Sequence, residues 1–232
     1  MTAIPAAPAP VVAPHSVEPG TRLRRIAAGG TMIAAGVVTL AGFLTAPWEN
    51  GSTEADYLHS LTGHPGQAML SMIVLHFGYL LMVPAAFVIA RLARRRAPVP
   101  AGIGLVLAVL GSGLSAVVLT DAYDLAIAQN VPLADALRIE DGMSVAGFLA
   151  IGLTSVVGTV LGSVLLMVAL WRARWTSWLP AVAMFAGWAV SYGAHDMIRS
   201  CTGAALVAIA LVAAGVRVLR ARDEEFASGI AA

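Results

Sequence analysis

Six apolar runs divide this chain, and arginine clusters punctuate them in a regular rhythm. The runs cover about residues 26–46, 69–90, 101–120, 142–170, 178–192 and 201–219. About 17–25 consecutive apolar residues, wound as a helix, cross the ~30 Å hydrocarbon core of a bilayer. Lipid offers no partner to a backbone N–H or C=O, so a chain that crosses it as separate apolar runs does so as helices. Hydrophobic residues make up 59% of the chain and charged residues only 12%, at a mean hydropathy of +0.83. That charged fraction is about half the usual ~25% of a soluble domain, too little to cover the apolar surface in water. The expected fold is an all-α, polytopic membrane helix bundle of about six transmembrane helices. The fifth run, 178–192, is short for a full crossing, and with the sixth it forms a tight hairpin.

Arginine placement orients the bundle. All 14 basic residues are Arg. Short cytoplasmic loops of membrane proteins carry the basic excess. With six spans, Arg22, Arg24, Arg25, Arg91, Arg94, Arg95, Arg96, Arg172, Arg174, Arg217, Arg220 and Arg222 all fall on one side. Only Arg138 and Arg199 fall on the other, and five or seven spans would scatter the set. Both termini are therefore expected to be cytoplasmic. Glu49, Glu54, Asp56, Asp121, Asp124, Asp135, Glu140, Asp141 and Asp196 collect on the outer side, with His59, His64 and His195.

Three units follow from this pattern. Residues 1–25 read as a disordered basic tail, because Pro5, Pro8, Pro10, Pro14 and Pro19 break any helix. Residues 26–220 form the transmembrane domain, and 221–232 a short cytoplasmic tail that reads as a solvated end. The first run, 26–46, is longer than the roughly 7–15 residues of a signal-peptide core, and no A-x-A site follows it before Pro47. A weak internal repeat links Leu44-Thr45-Ala46 with Leu119-Thr120-Asp121, each closing a helix ahead of an acidic loop. The second such loop, 121–141, mixes apolar and polar residues like an amphipathic interfacial helix. Trp48, Tyr57 and Tyr123 suit an aromatic belt at headgroup level.

The residues able to carry chemistry are few. His76 lies within the second span, one turn from Tyr79, and an ionisable group at such depth is a functional candidate by default. Its alternative is a neutral imidazole hydrogen-bonded to a neighbouring helix. Asp121 and Asp124 are three apart at the end of the third span and share a face if the helix continues. Repulsion within such a pair raises one pKa, which suits a general acid; the alternative is a solvated pair. His195 and Asp196 sit beside Arg199 in the last turn, either as an oriented base or as ordinary turn residues. Thr154, Gly158 and Gly162, flanked by Ser155, Thr159 and Ser163, give the fourth span a small-residue face for close helix contact.

No spacing of the H-E-x-x-H kind marks a metal site, and the lone Cys201 cannot form an internal disulfide. No Walker loop, dinucleotide-binding glycine pattern, nucleophile elbow or nucleic-acid module is present. The pattern names no cofactor. Three function classes fit. The least demanding is an accessory or structural membrane component. The second is a membrane enzyme doing acid/base chemistry (cyclisation, isomerisation or hydrolysis) on an apolar or lipidic substrate, through His76, Asp121, Asp124, His195 and Asp196 in an outward-opening pocket. The third is a small transporter. Expected partners are the lipid bilayer, an apolar small molecule or a second membrane protein, and not nucleic acid.

Overall fold

The computed structural model describes residues 19–48, 53–118, 131–132, 134–135, 138, 148–192, 194 and 196–229. These are helical with no strand among them, as the apolar runs require. The main elements are α1 (Thr21–Thr45), α2 (Glu54–Gly63), α3 (Pro65–Ala93), α4 (Pro98–Val118), α5 (Leu153–Arg172), α6 (Leu179–Ser191), α7 (Met197–Arg220) and α8 (Asp223–Ser228). A π-helical turn, Phe148–Gly152, leads into α5. Five helices are long and apolar enough to cross a membrane: α1, α3, α4, α5 and α7. The expected fifth span is α6, an apolar helix of 13 residues. At 1.5 Å per residue it covers only about 20 Å.

The helices close into a circuit. α1 packs on α3 and α7, α3 on α4, α4 on α5, α5 on α6, and α6 on α7, while α3 also touches α5 across the bundle. Small residues line the seams. A Cβ on Gly111 of α4 would collide with the backbone of Gly158 and Thr159 on α5. A Cβ on Gly187 of α6 would lie 2.7 Å from the Gly203 carbonyl oxygen of α7. Such backbone-to-backbone approach is open only to glycine, and it gains dispersion contact where lipid provides no hydrophobic drive. Large apolar side chains face outward instead, among them Phe77 (57% exposed), Phe87, Ile103 and Phe185 (58%). A bundle with glycine seams between its helices and large apolar residues over its outer surface suits lipid.

The arginine-bearing helix ends meet at one end of the bundle, as the placement of arginine in the sequence implies. Arg25 at the start of α1 pairs with Asp223 of α8 at 2.8 Å and also donates to the Leu219 carbonyl. Arg91 of α3 lies over the Phe226 ring, and Arg217 of α7 over the Trp175 ring. The Arg96 guanidinium donates to the Ala173 carbonyl, tying the α3–α4 turn to the α5–α6 turn.

Three segments differ from the sequence reading. Residues 21–25, read as the end of a disordered tail, are helical, because α1 starts at Thr21. The tail beyond residue 220 is not a solvated end: α8 folds back beneath the bundle and Phe226 is only 3% exposed. Its charged composition hid one buried aromatic that anchors it. The first acidic loop contains a helix, α2, begun by a capping box in which Thr53 and Asp56 satisfy each other's backbone N–H. The amphipathic helix read into 121–141 falls outside the described residues, apart from a few positions that include the Asp135–Arg138 ion pair.

Candidate functional site

At the end opposite the arginines, α2 lies on α3. Tyr57 and Leu61 of α2 pack against Ala68 and Met72 of α3. Trp48, just past α1, stacks on Tyr57 with ring centroids 5.2 Å apart, and its indole N–H donates to the Phe43 carbonyl at 2.7 Å. α2 is thereby held by an aromatic pair on one side and a small apolar cluster beneath.

His76 sits one turn along α3 from Met72 and is partly buried. Its Nδ1 lies 2.7 Å from the Met72 carbonyl oxygen. A carbonyl only accepts, so Nδ1 is the donor in this bond. The ring therefore satisfies one nitrogen on its own helix, not on a Ser or Thr of a neighbour. Among the described residues the ring makes no other hydrogen bond.

One turn deeper, the Tyr79 ring stacks on Trp188 of α6 at 6.5 Å, and Trp188 tilts against Tyr192 at 5.5 Å. Trp188 is 2% exposed, and its indole N–H donates to Ser163 Oγ of α5 at 2.9 Å. A buried indole needs such an acceptor, and the Ser163 hydroxyl in turn donates to the Val160 carbonyl. Beside them, Ser115 of α4 bonds Ser155 of α5 at 2.6 Å and reaches Thr159 at 3.5 Å. The small-residue face of α5 thus does two things. Gly158 and Gly162 receive the α4 backbone, and the neighbouring hydroxyls hold α4 and α6. Thr154 is exposed and bonds only the Ala150 carbonyl of its own turn.

Below this layer lies a small void of about 20 Å³, lined by Met82, Ser112, Ser163, Leu166, Met184 and Leu211 among others. That is room for about one water molecule. Ser112 there approaches the Met82 sulfur at 3.9 Å.

Two of the five residues singled out for acid/base chemistry are placed: His76, as above, and Asp196. Asp196 is the N-cap of α7, accepting the Arg199 backbone N–H at 2.9 Å, with the Arg199 guanidinium 3.4 Å away. This carboxylate is engaged in starting a helix. Among the described residues no hydrogen bond or ion pair joins it to His76. Asp121, Asp124 and His195 lie outside the described residues. Among the described residues no three of His, Cys, Asp and Glu come together as a metal-ligand set. Cys201 is a free thiol, its sulfur 3.7 Å from the Phe43 carbonyl oxygen.

The sequence reading missed the Trp188–Tyr192 pair. Its signal was a tryptophan well inside an apolar run, away from the interfacial belt, with a tyrosine four residues on. Comparison with known proteins gives no match: no family model fits the chain, and no curated protein and no solved structure is similar to it.

Proposed function

We propose that this integral membrane protein works as an accessory component of a membrane assembly, with both termini cytoplasmic and its functional groups at the outer end. The close packing of the bundle carries this reading. Glycine backbones meet across the α4–α5 and α6–α7 seams, and the described interior void holds about one water molecule. Such a core holds a fixed shape and suits a protein that presents its surface to a partner. The arginines of one end support the orientation.

A second reading has its own support. His76 donates Nδ1 to the Met72 carbonyl and leaves Nε2 without a partner among the described residues, one turn along α3 from Tyr79 of the Tyr79–Trp188–Tyr192 cluster. An imidazole with a ring nitrogen to spare suits acid/base chemistry on an apolar substrate, with Asp121, Asp124, His195 and Asp196 as further candidates. Native mass spectrometry of gently solubilised membranes separates the two. A protein partner at fixed stoichiometry, unchanged in His76→Ala, supports the accessory role. An apolar molecule that co-purifies with the isolated chain and is lost in His76→Ala overturns it in favour of the enzyme. Solute flux in liposomes containing the pure protein would overturn both in favour of transport.

A further inference from the structure

The arginines at one end of the bundle differ in their partners. Around α8 three are engaged: Arg25 with Asp223, Arg217 with Glu225 and Trp175, Arg91 with Phe226. Arg22 and Arg220 are exposed at the ends of α1 and α7. At the neighbouring α3–α4 and α5–α6 turns only Arg96 has a partner among the described residues. Arg94, Arg95, Arg172 and Arg174 are exposed, and no carboxylate among the described residues pairs with them. The bond from Arg96 to the Ala173 carbonyl, at 3.3 Å, draws these two turns together, so the four charges belong to one surface.

Two more features mark this surface. Arg174 holds a left-handed backbone, φ 64°, the only non-glycine with positive φ among the described residues. It occupies the position where glycine ordinarily ends a helix: its N–H bonds the Trp171 carbonyl, and the Trp175 N–H bonds that of Leu170. An arginine kept where glycine would sit without strain points to a use for its side chain. In addition, Trp171 (46% exposed) and Trp178 (54% exposed) flank the two arginines of the α5–α6 turn. Exposed tryptophans at a helix end sit at headgroup level.

We propose that the two turns form a binding site for the phosphate headgroup of an anionic phospholipid. Arg94, Arg95, Arg172 and Arg174 supply the charge, and Trp171 and Trp178 seat the site at the interface. Guanidinium groups grip phosphate oxygens in pairs, and the unpaired state of these four leaves their donors available. The flanking indoles favour a lipid over a soluble phosphate or an acidic peptide, because they place the charges where the acyl chains of the ligand have somewhere to go.

The test is lipid titration of the full chain in detergent, read by native mass spectrometry, with phosphatidylglycerol against phosphatidylcholine. The wild type should retain phosphatidylglycerol preferentially. A charge-assisted hydrogen bond to a phosphate oxygen is worth about ten-fold or more in affinity. Arg94→Gln/Arg95→Gln and Arg172→Gln/Arg174→Gly should each therefore cost on the order of 20-fold or more. The second variant relieves the left-handed arginine, so it keeps its fold, and the first alters only exposed side chains. Arg22→Gln/Arg220→Gln removes two exposed charges from the same face and should change binding less than about three-fold. Equal losses in all three variants would reduce the site to diffuse surface charge and overturn it. Displacement of the lipid by millimolar inorganic phosphate would also overturn it, showing a soluble-phosphate site in its place.

Discussion

Replacing Phe226 by alanine should release α8 and leave the rest of the bundle standing. The ring is 3% exposed beneath the bundle, with the Arg91 guanidinium 5.3 Å from its centroid. Burying a Phe is worth about 3–5 kcal/mol against alanine. The site lies at the rim, where water can enter the gap, so the lower value of about 3 kcal/mol applies. A helix of six residues has no stability of its own, because nucleation alone is unfavourable. The cost therefore falls on docking. Three kcal/mol shifts the docked–undocked equilibrium by roughly 100-fold. Amide hydrogen exchange in detergent or nanodiscs reads this directly: protection in the second half of α8 should fall by that factor, while that of α3 and α7 stays. Asp223→Asn is the calibrating variant. It removes the charge from the part-buried pair with Arg25, to which an amide oxygen can still accept, and should cost about ten-fold or less. If Asp223→Asn released α8 as fully as Phe226→Ala, charge and not the buried ring would hold the tail, and the reasoning would fail.

Further predictions follow from the seams, the caps and the faces. Gly158→Leu at the α4–α5 seam should destabilise strongly, by about 3 kcal/mol or more, since the new side chain meets the Gly111 backbone; thermal denaturation in detergent measures it. Ser163→Ala leaves the Trp188 indole N–H buried without an acceptor and should cost about 1–3 kcal/mol, with a change in near-UV circular dichroism. Thr53→Ala removes the α2 cap and should lower α2 protection by about 1 kcal/mol, seen in hydrogen exchange as a roughly five-fold loss confined to that helix. In a Cys201→Ala background, an impermeant maleimide applied to intact cells should label Thr53→Cys and spare Arg95→Cys; the reverse pattern would invert the orientation.

Solvent, element type and the gathering of charge were legible in the residues alone. Long uncharged runs favour lipid-spanning helices, and five such helices are present; the start of the fourth run lies outside the described residues and the fifth run is the shorter helix α6. The glycine spacing at 158 and 162 was legible because close approach between helices excludes a Cβ, whatever the partner. The Thr53–Asp56 capping pair was also there to be read, but its short helix has too few apolar residues to show a period. Tertiary structure alone decided the rest. Which helices meet depends on seams that each depend on two sequences at once, so Gly111 and Gly158 can be matched only in space. The packed tail turned on one residue, Phe226, whose burial no local pattern announces. The partner of His76 is a carbonyl, and every residue carries one, so the sequence could not say which the ring would choose. The division of the arginines into engaged and open groups arose in the same way. Charge count is a property of the chain, but pairing depends on which helix ends the fold brings together.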